Sequence, residues 1–106
     1  MWDENALQCL VGDNLATQDR LLEKYLLTAV AMVETIRKAA IAEQATVITE
    51  LAHKLKSSSR AVGAMQLGSL CEALEHAESE SICLKLAALV IQGFAEAQAR
   101  IQARQR

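Results

Sequence analysis

Not one of the 106 residues is proline. Proline is the strongest breaker of helices and a staple of the turns that separate strands, so its complete absence favours long, uninterrupted helical segments. The rest of the composition points the same way. Alanine occurs 19 times and leucine 15 times, against four glycines and three aromatics (Trp2, Tyr25, Phe94). A β-sandwich or barrel needs many Gly/Pro/Asn/Asp turns between strands rich in β-branched and aromatic residues. That supply is missing, so an all-β fold is excluded and an α/β fold is disfavoured. A hydrophobic content of 52% excludes a disordered chain. The length suits one compact domain over residues 1–106 and is too short for two.

Apolar periodicity divides the chain into a short leading helix, about 3–10, and four longer ones, about 15–38, 45–62, 64–78 and 82–103. In the second helix Leu22, Tyr25, Ala29, Met32 or Val33, and Ile36 recur at spacings of three and four. Asp13 or Asn14 is placed to cap its start, and Arg37 and Lys38 suit its end. A loop over 40–44 follows. Gly63 stands where a helix C-terminus needs the left-handed conformation, and Ser79 or Ser81 can cap the last helix. That helix is expected to bury Leu86, Val90, Phe94, Ala97 and Ile101, and it ends in a basic tail of Arg100, Arg104 and Arg106. Short loops make successive helices antiparallel. The expected fold is therefore all-α, an up-down antiparallel four-helix bundle with a short extra N-terminal helix.

Several function classes fall away on the same evidence. A net charge of −2 gives no footprint for nucleic acid or for an anionic membrane surface. Cys9, Cys71 and Cys83 are an odd set without metal-ligand spacing, which fits a reduced, cytoplasmic setting better than a disulfide scaffold. Met1-Trp2-Asp3-Glu4-Asn5 does not read as a signal peptide. The longest apolar runs, 26–33 and 86–91, are short of the ~20 residues that span a bilayer. No Walker loop, HExxH pair or other metal-ligand set is present.

The third helix carries the one unusual feature. On a wheel of about 100° per residue with Ile48 at zero, Leu51, Ala52, Leu55, Ser59 and Val62 fall within about 60° and form the core face. His53 falls at about 140°, on the polar side, with Thr49, Lys56, Ser57 and Arg60 around it. Two readings fit this placement: an ordinary surface histidine on a charged face, or a nucleophilic imidazole that carries an anion. In the second, a phosphoryl group on His53 meets the charge of Lys56, that of Arg60 and nearby hydroxyl donors. His76, with Glu72 and Glu80 on the polar side of the fourth helix, reads as a surface residue.

At this helix the sequence resembles the histidine phosphotransfer (HPt) domain, whose signature reads AHxLKGSSxxxGAxxLxxxCxxLE. The matching residues are Ala52-His53-Lys54-Leu55-Lys56-Ser57-Ser58-Ser59, Gly63-Ala64, Leu67, Cys71 and Leu74-Glu75. The opening is also similar to such domains at Trp2-Asp3, Ala6-Leu7, Gly12-Asp13 and Leu21-Leu22. The resemblance implies that His53 is the phosphoacceptor. It would take a phosphoryl group from an aspartyl phosphate on a response-regulator receiver domain and pass it to another receiver. Lys56 would sit beside the phosphohistidine. From their places on the wheel rather than from the family pattern, Ser57 and Arg60 are expected to support the phosphate and Thr49 to lie in the docking surface. The domain would hold no metal or cofactor of its own, the receiver supplying Mg²⁺. It would act as a cytoplasmic monomer without direct membrane contact, and would not be an enzyme alone. The Trp-Asp opening and basic end suggest the C-terminal module of a membrane-bound hybrid sensor kinase. Two residues depart from the pattern: Ser57 replaces the usual glycine, and Gln44 stands where an aspartate often caps. The competing reading is a helical adaptor that docks on a receiver without carrying phosphate.

Overall fold

A computed structural model describes residues 2–105, all helix and short connections with no strand among them. Arg106, expected in the basic tail, lies outside the described residues. Five helices follow in order: α1 (Ala6–Val11), α2 (Leu15–Ile41), α3 (Ala45–Ala61), α4 (Met65–Glu75) and α5 (Glu80–Arg104). The 27 residues of α2 correspond to about 40 Å of helix and set the long axis of a 43 × 19 × 18 Å molecule. Helices α2 to α5 pack as a ring, α3 most extensively on α4, and α2 closes on α5. This is the up-down bundle expected from the loop lengths, with α1 laid against α2 and α3.

The core is the inner stripe of each helix. Leu22, Ile36, Ile48, Leu55, Leu74, Val90 and Ile101 are completely buried or nearly so. Two expected core positions, Leu51 and Leu86, are only partly buried. Leu70 of α4 is likewise partly buried, and Leu10 of α1 is exposed. Cys83 and Ala87 are buried in α5. Small side chains face inward there because closely spaced helices leave room for little else.

Helix ends depart from expectation by up to three residues. Asn14 caps α2 by accepting from the Thr17 N–H at 3.1 Å, and Ser79 caps α5 through Ile82 at 3.2 Å. Helix α1 starts at Ala6 rather than residue 3 because the chain before it is bound elsewhere: the Asp3 N–H donates to the Gly63 carbonyl at 2.9 Å. Helix α2 runs on to Ile41, since Ala39 is buried and extends its inner stripe by one turn. The turn to α3 is thereby compressed and forces Glu43 to a φ of 56°. Helix α4 stops at Glu75, three residues early, because its last N–H bonds tighten and the chain must reach the extended Ser79 cap.

By length and composition α5 could cross a bilayer, a property that counting unbroken apolar runs does not detect. Its inner side chains, from Cys83 to Ile101, belong to the bundle core.

Candidate functional site

Helices α3 and α4 form an antiparallel hairpin turned at 62–64. Gly63 adopts a φ of +101°, and a Cβ there would meet the Asp3 carbonyl at 2.5 Å, so both conformation and space require glycine. Position 64 is the centre of the hairpin's register. Arg60 and Gly68 stand four residues to either side, and the Arg60 stem occupies the space a Gly68 Cβ would need. His53 and Glu75 stand eleven residues to either side, about 16 Å from the turn along each helix.

The register puts a carboxylate on the imidazole. Glu75 Oε1 lies 2.6 Å from His53 Nδ1. Lys56 Nζ donates to the same carboxylate, 3.1 Å from Oε1 and 3.3 Å from Oε2. The Lys56 and Glu75 side chains are only 16% and 15% exposed, whereas that of His53 is 66% exposed. An inner ion pair thus grips an outer imidazole. The hydrogen bond from His53 is the main cause that holds the Glu75 carboxyl below its ordinary value of 4.5, with Lys56 adding to it against the cost of burial. Glu75 is therefore an anion at neutral pH and accepts from Nδ1. In the neutral imidazole this leaves the lone pair on Nε2, and no described residue hydrogen-bonds that nitrogen.

The other expected site residues are distributed around this centre. Thr49 lines one shallow cleft with Glu50, His53, Lys54 and Glu75, and its hydroxyl donates to the Thr46 carbonyl at 3.1 Å. The Ser57 side chain is exposed and makes no hydrogen bond among the described residues. Arg60 is drawn to Glu72 at 3.5 Å. Ser58 bonds back to the Lys54 and Leu55 carbonyls. Ser59 is buried on the core face, as its place on the wheel indicates, and its hydroxyl pairs with that of Tyr25 at 2.7 Å. His76 is a surface residue, as expected, but it lies just past the end of α4 with Nε2 3.2 Å from Glu75 Oε2. No cluster of His, Cys, Asp or Glu among the described residues can hold a metal ion.

Residue-by-residue reading of α3 missed Glu75 because it lies 22 positions from His53. The available signal was the hairpin itself: with a turn at Gly63, positions equidistant from Ala64 face one another.

The family model described as "Hpt domain" matches residues 20–103. The chain belongs to the Hpt domain family. With membership comes a phosphotransfer role in His–Asp phosphorelay, that of a phosphocarrier without an ATP-binding site. No curated protein and no solved structure gave a significant match.

Proposed function

We propose that His53 is the phosphoacceptor of a multistep His–Asp phosphorelay. The reading rests on one observation above the others: an exposed imidazole whose Nδ1 is held by Glu75 at 2.6 Å beside the Lys56 ammonium. Glu75 orients the ring and keeps the proton on Nδ1, so Nε2 is the nucleophile. The Nε2 lone pair attacks the phosphorus of an aspartyl phosphate, the P–O bond breaks, and the aspartate leaves as a carboxylate. Transfer to a second receiver is the reverse step. Lys56 supplies positive charge for the phosphoryl oxygens. Ser57 and Arg60 are further supports for the phosphate, and Thr49 belongs to the docking surface.

The partners in this reading are receiver domains, which contribute the aspartate and Mg²⁺; the phosphocarrier needs no cofactor of its own. It works as a monomer in the cytoplasm. The test is incubation with a receiver phosphorylated with labelled phosphate. Acid-labile, base-stable label is expected on the wild-type chain and none on His53→Gln. Label that persists in His53→Gln overturns the assignment. Binding of the receiver without label on the wild type identifies an adaptor instead.

A further inference from the structure

The sequence contains two histidines, and one carboxylate touches both. Glu75 Oε1 accepts a hydrogen bond from His53 Nδ1, while Oε2 lies 3.2 Å from His76 Nε2. A carboxylate at that distance favours the states of His76 that carry a proton on Nε2, namely one neutral tautomer and the cation. The charged and titratable groups on Glu75 are His53 and Lys56 from α3 and its own neighbour His76. Lys56 reaches both carboxylate oxygens and so favours neither imidazole. Arg60 of α3 is taken up by Glu72, and no described charged residue of α5 pairs with Glu75.

We propose that His76 is a positioning residue for phosphotransfer, acting through Glu75 to set how strongly the carboxylate holds the Nδ1 proton of His53. When His76 is cationic it draws the carboxylate charge toward Oε2. The bond from Oε1 to His53 weakens, and the electron density that this bond lends to Nε2 falls. When His76 is neutral, Oε1 holds His53 more firmly and Nε2 is the better nucleophile. The functional meaning rests on His53 being the acceptor, but the contacts that carry the proposal are present in the resting chain.

The experiment follows the His53 ring Cε1–H by NMR from pH 5 to 8 in the unphosphorylated full chain. In His76→Gln the His53 midpoint is expected to move to higher pH by roughly 0.2–0.7 units, the range for an exposed charge pair. In a Glu75→Gln background the same substitution is expected to move it much less, since the link is gone. The rate of phosphoryl uptake per neutral His53, with the neutral fraction taken from the same NMR titration, is expected to fall less from pH 8 to pH 6 in His76→Gln than in the wild type. The proposal is overturned by coincident His53 curves, by an equal displacement in the Glu75→Gln background, or by an unchanged rate per neutral His53. Failure of the acceptor assignment shows differently, as label surviving His53→Gln.

Discussion

Glu75 does two things at once for His53: it fixes which ring nitrogen carries the proton, and it keeps the Lys56 ammonium beside the ring. Glu75→Gln retains the shape but not the charge, so slower phosphoryl uptake is expected, by roughly 10- to 100-fold, the range seen when a carboxylate partner of a functional histidine is lost. Uptake at the wild-type rate in a stopped assay would remove Glu75 from the mechanism. Its titration also has a stability consequence. The carboxyl is held below 4.5 in the folded chain, so its contribution is fully present above that pH and is lost as pH falls through the folded value. The stability difference between wild type and Glu75→Gln in urea should therefore be largest near neutrality and shrink below about pH 4.5. Lys56→Ala is expected to keep the fold and to slow transfer or shorten the life of the phosphohistidine, measured by label retention. Ser57→Gly is expected to transfer as fast as wild type or faster, because the exposed Ser57 hydroxyl has no partner among the described residues to lose. In the core, Tyr25→Phe would strand the Ser59 hydroxyl in a site with no water access, at about 1–3 kcal/mol in denaturant melts. Burial raises the Tyr25 hydroxyl to about 12 against the bond from Ser59, so this pair stays neutral across the working range.

At the scale of elements, inner stripes and caps were legible and endpoints were not. Asn14 and Ser79 do what their side chains promise at a helix start, and Gln44 makes no side-chain cap bond. The end of α2 was misread because Arg37-Lys38 is a C-terminal signal worth only a few tenths of a kcal/mol, outweighed by the burial of Ala39. Propensity and charge act locally, whereas burial depends on where the neighbouring helix lies. The cost of that extra turn sits at Glu43, whose φ of 56° suits glycine. Glu43→Gly should therefore stabilise the chain by about 1 kcal/mol in urea melts. Gly63→Ala should do the opposite, by roughly 1–3 kcal/mol, since the added Cβ meets the Asp3 carbonyl. A neutral result at either site would mean that the turn relaxes at no cost.

For the whole molecule, the N-terminal arm ties together parts that are far apart in sequence. Asp3 bonds to the α3–α4 turn, while Trp2 lies under the Arg100 guanidinium, 4.9 Å from the ring centroid, and Glu4 pairs with the same arginine. At the same end of α5, Arg104 reaches Gln18 at 2.7 Å. Trp2 is the sole tryptophan, so its fluorescence reports on the arm. Fluorescence and far-ultraviolet circular dichroism are expected to give coincident urea transitions. An earlier fluorescence transition would show that the arm leaves a bundle that is still folded.

The sequence by itself determined the helical class, the bundle topology, the core stripes and the outward position of His53. Each follows from helical periodicity and loop length, which are local properties of the chain. The HPt resemblance rested chiefly on residues from 52 to 75, with weaker matches in the opening of the chain. Only the tertiary structure decided what His53 touches. Its partner comes from another helix, and one residue of slip along the α3–α4 hairpin would turn Glu75 about 100° away from it. The register that prevents this is set by packing across the whole bundle: the Gly63 turn, the Arg60 stem over Gly68 and the N-terminal arm on the turn. Periodicity can place a side chain on a face, but the facing group belongs to whichever helix the core brings alongside.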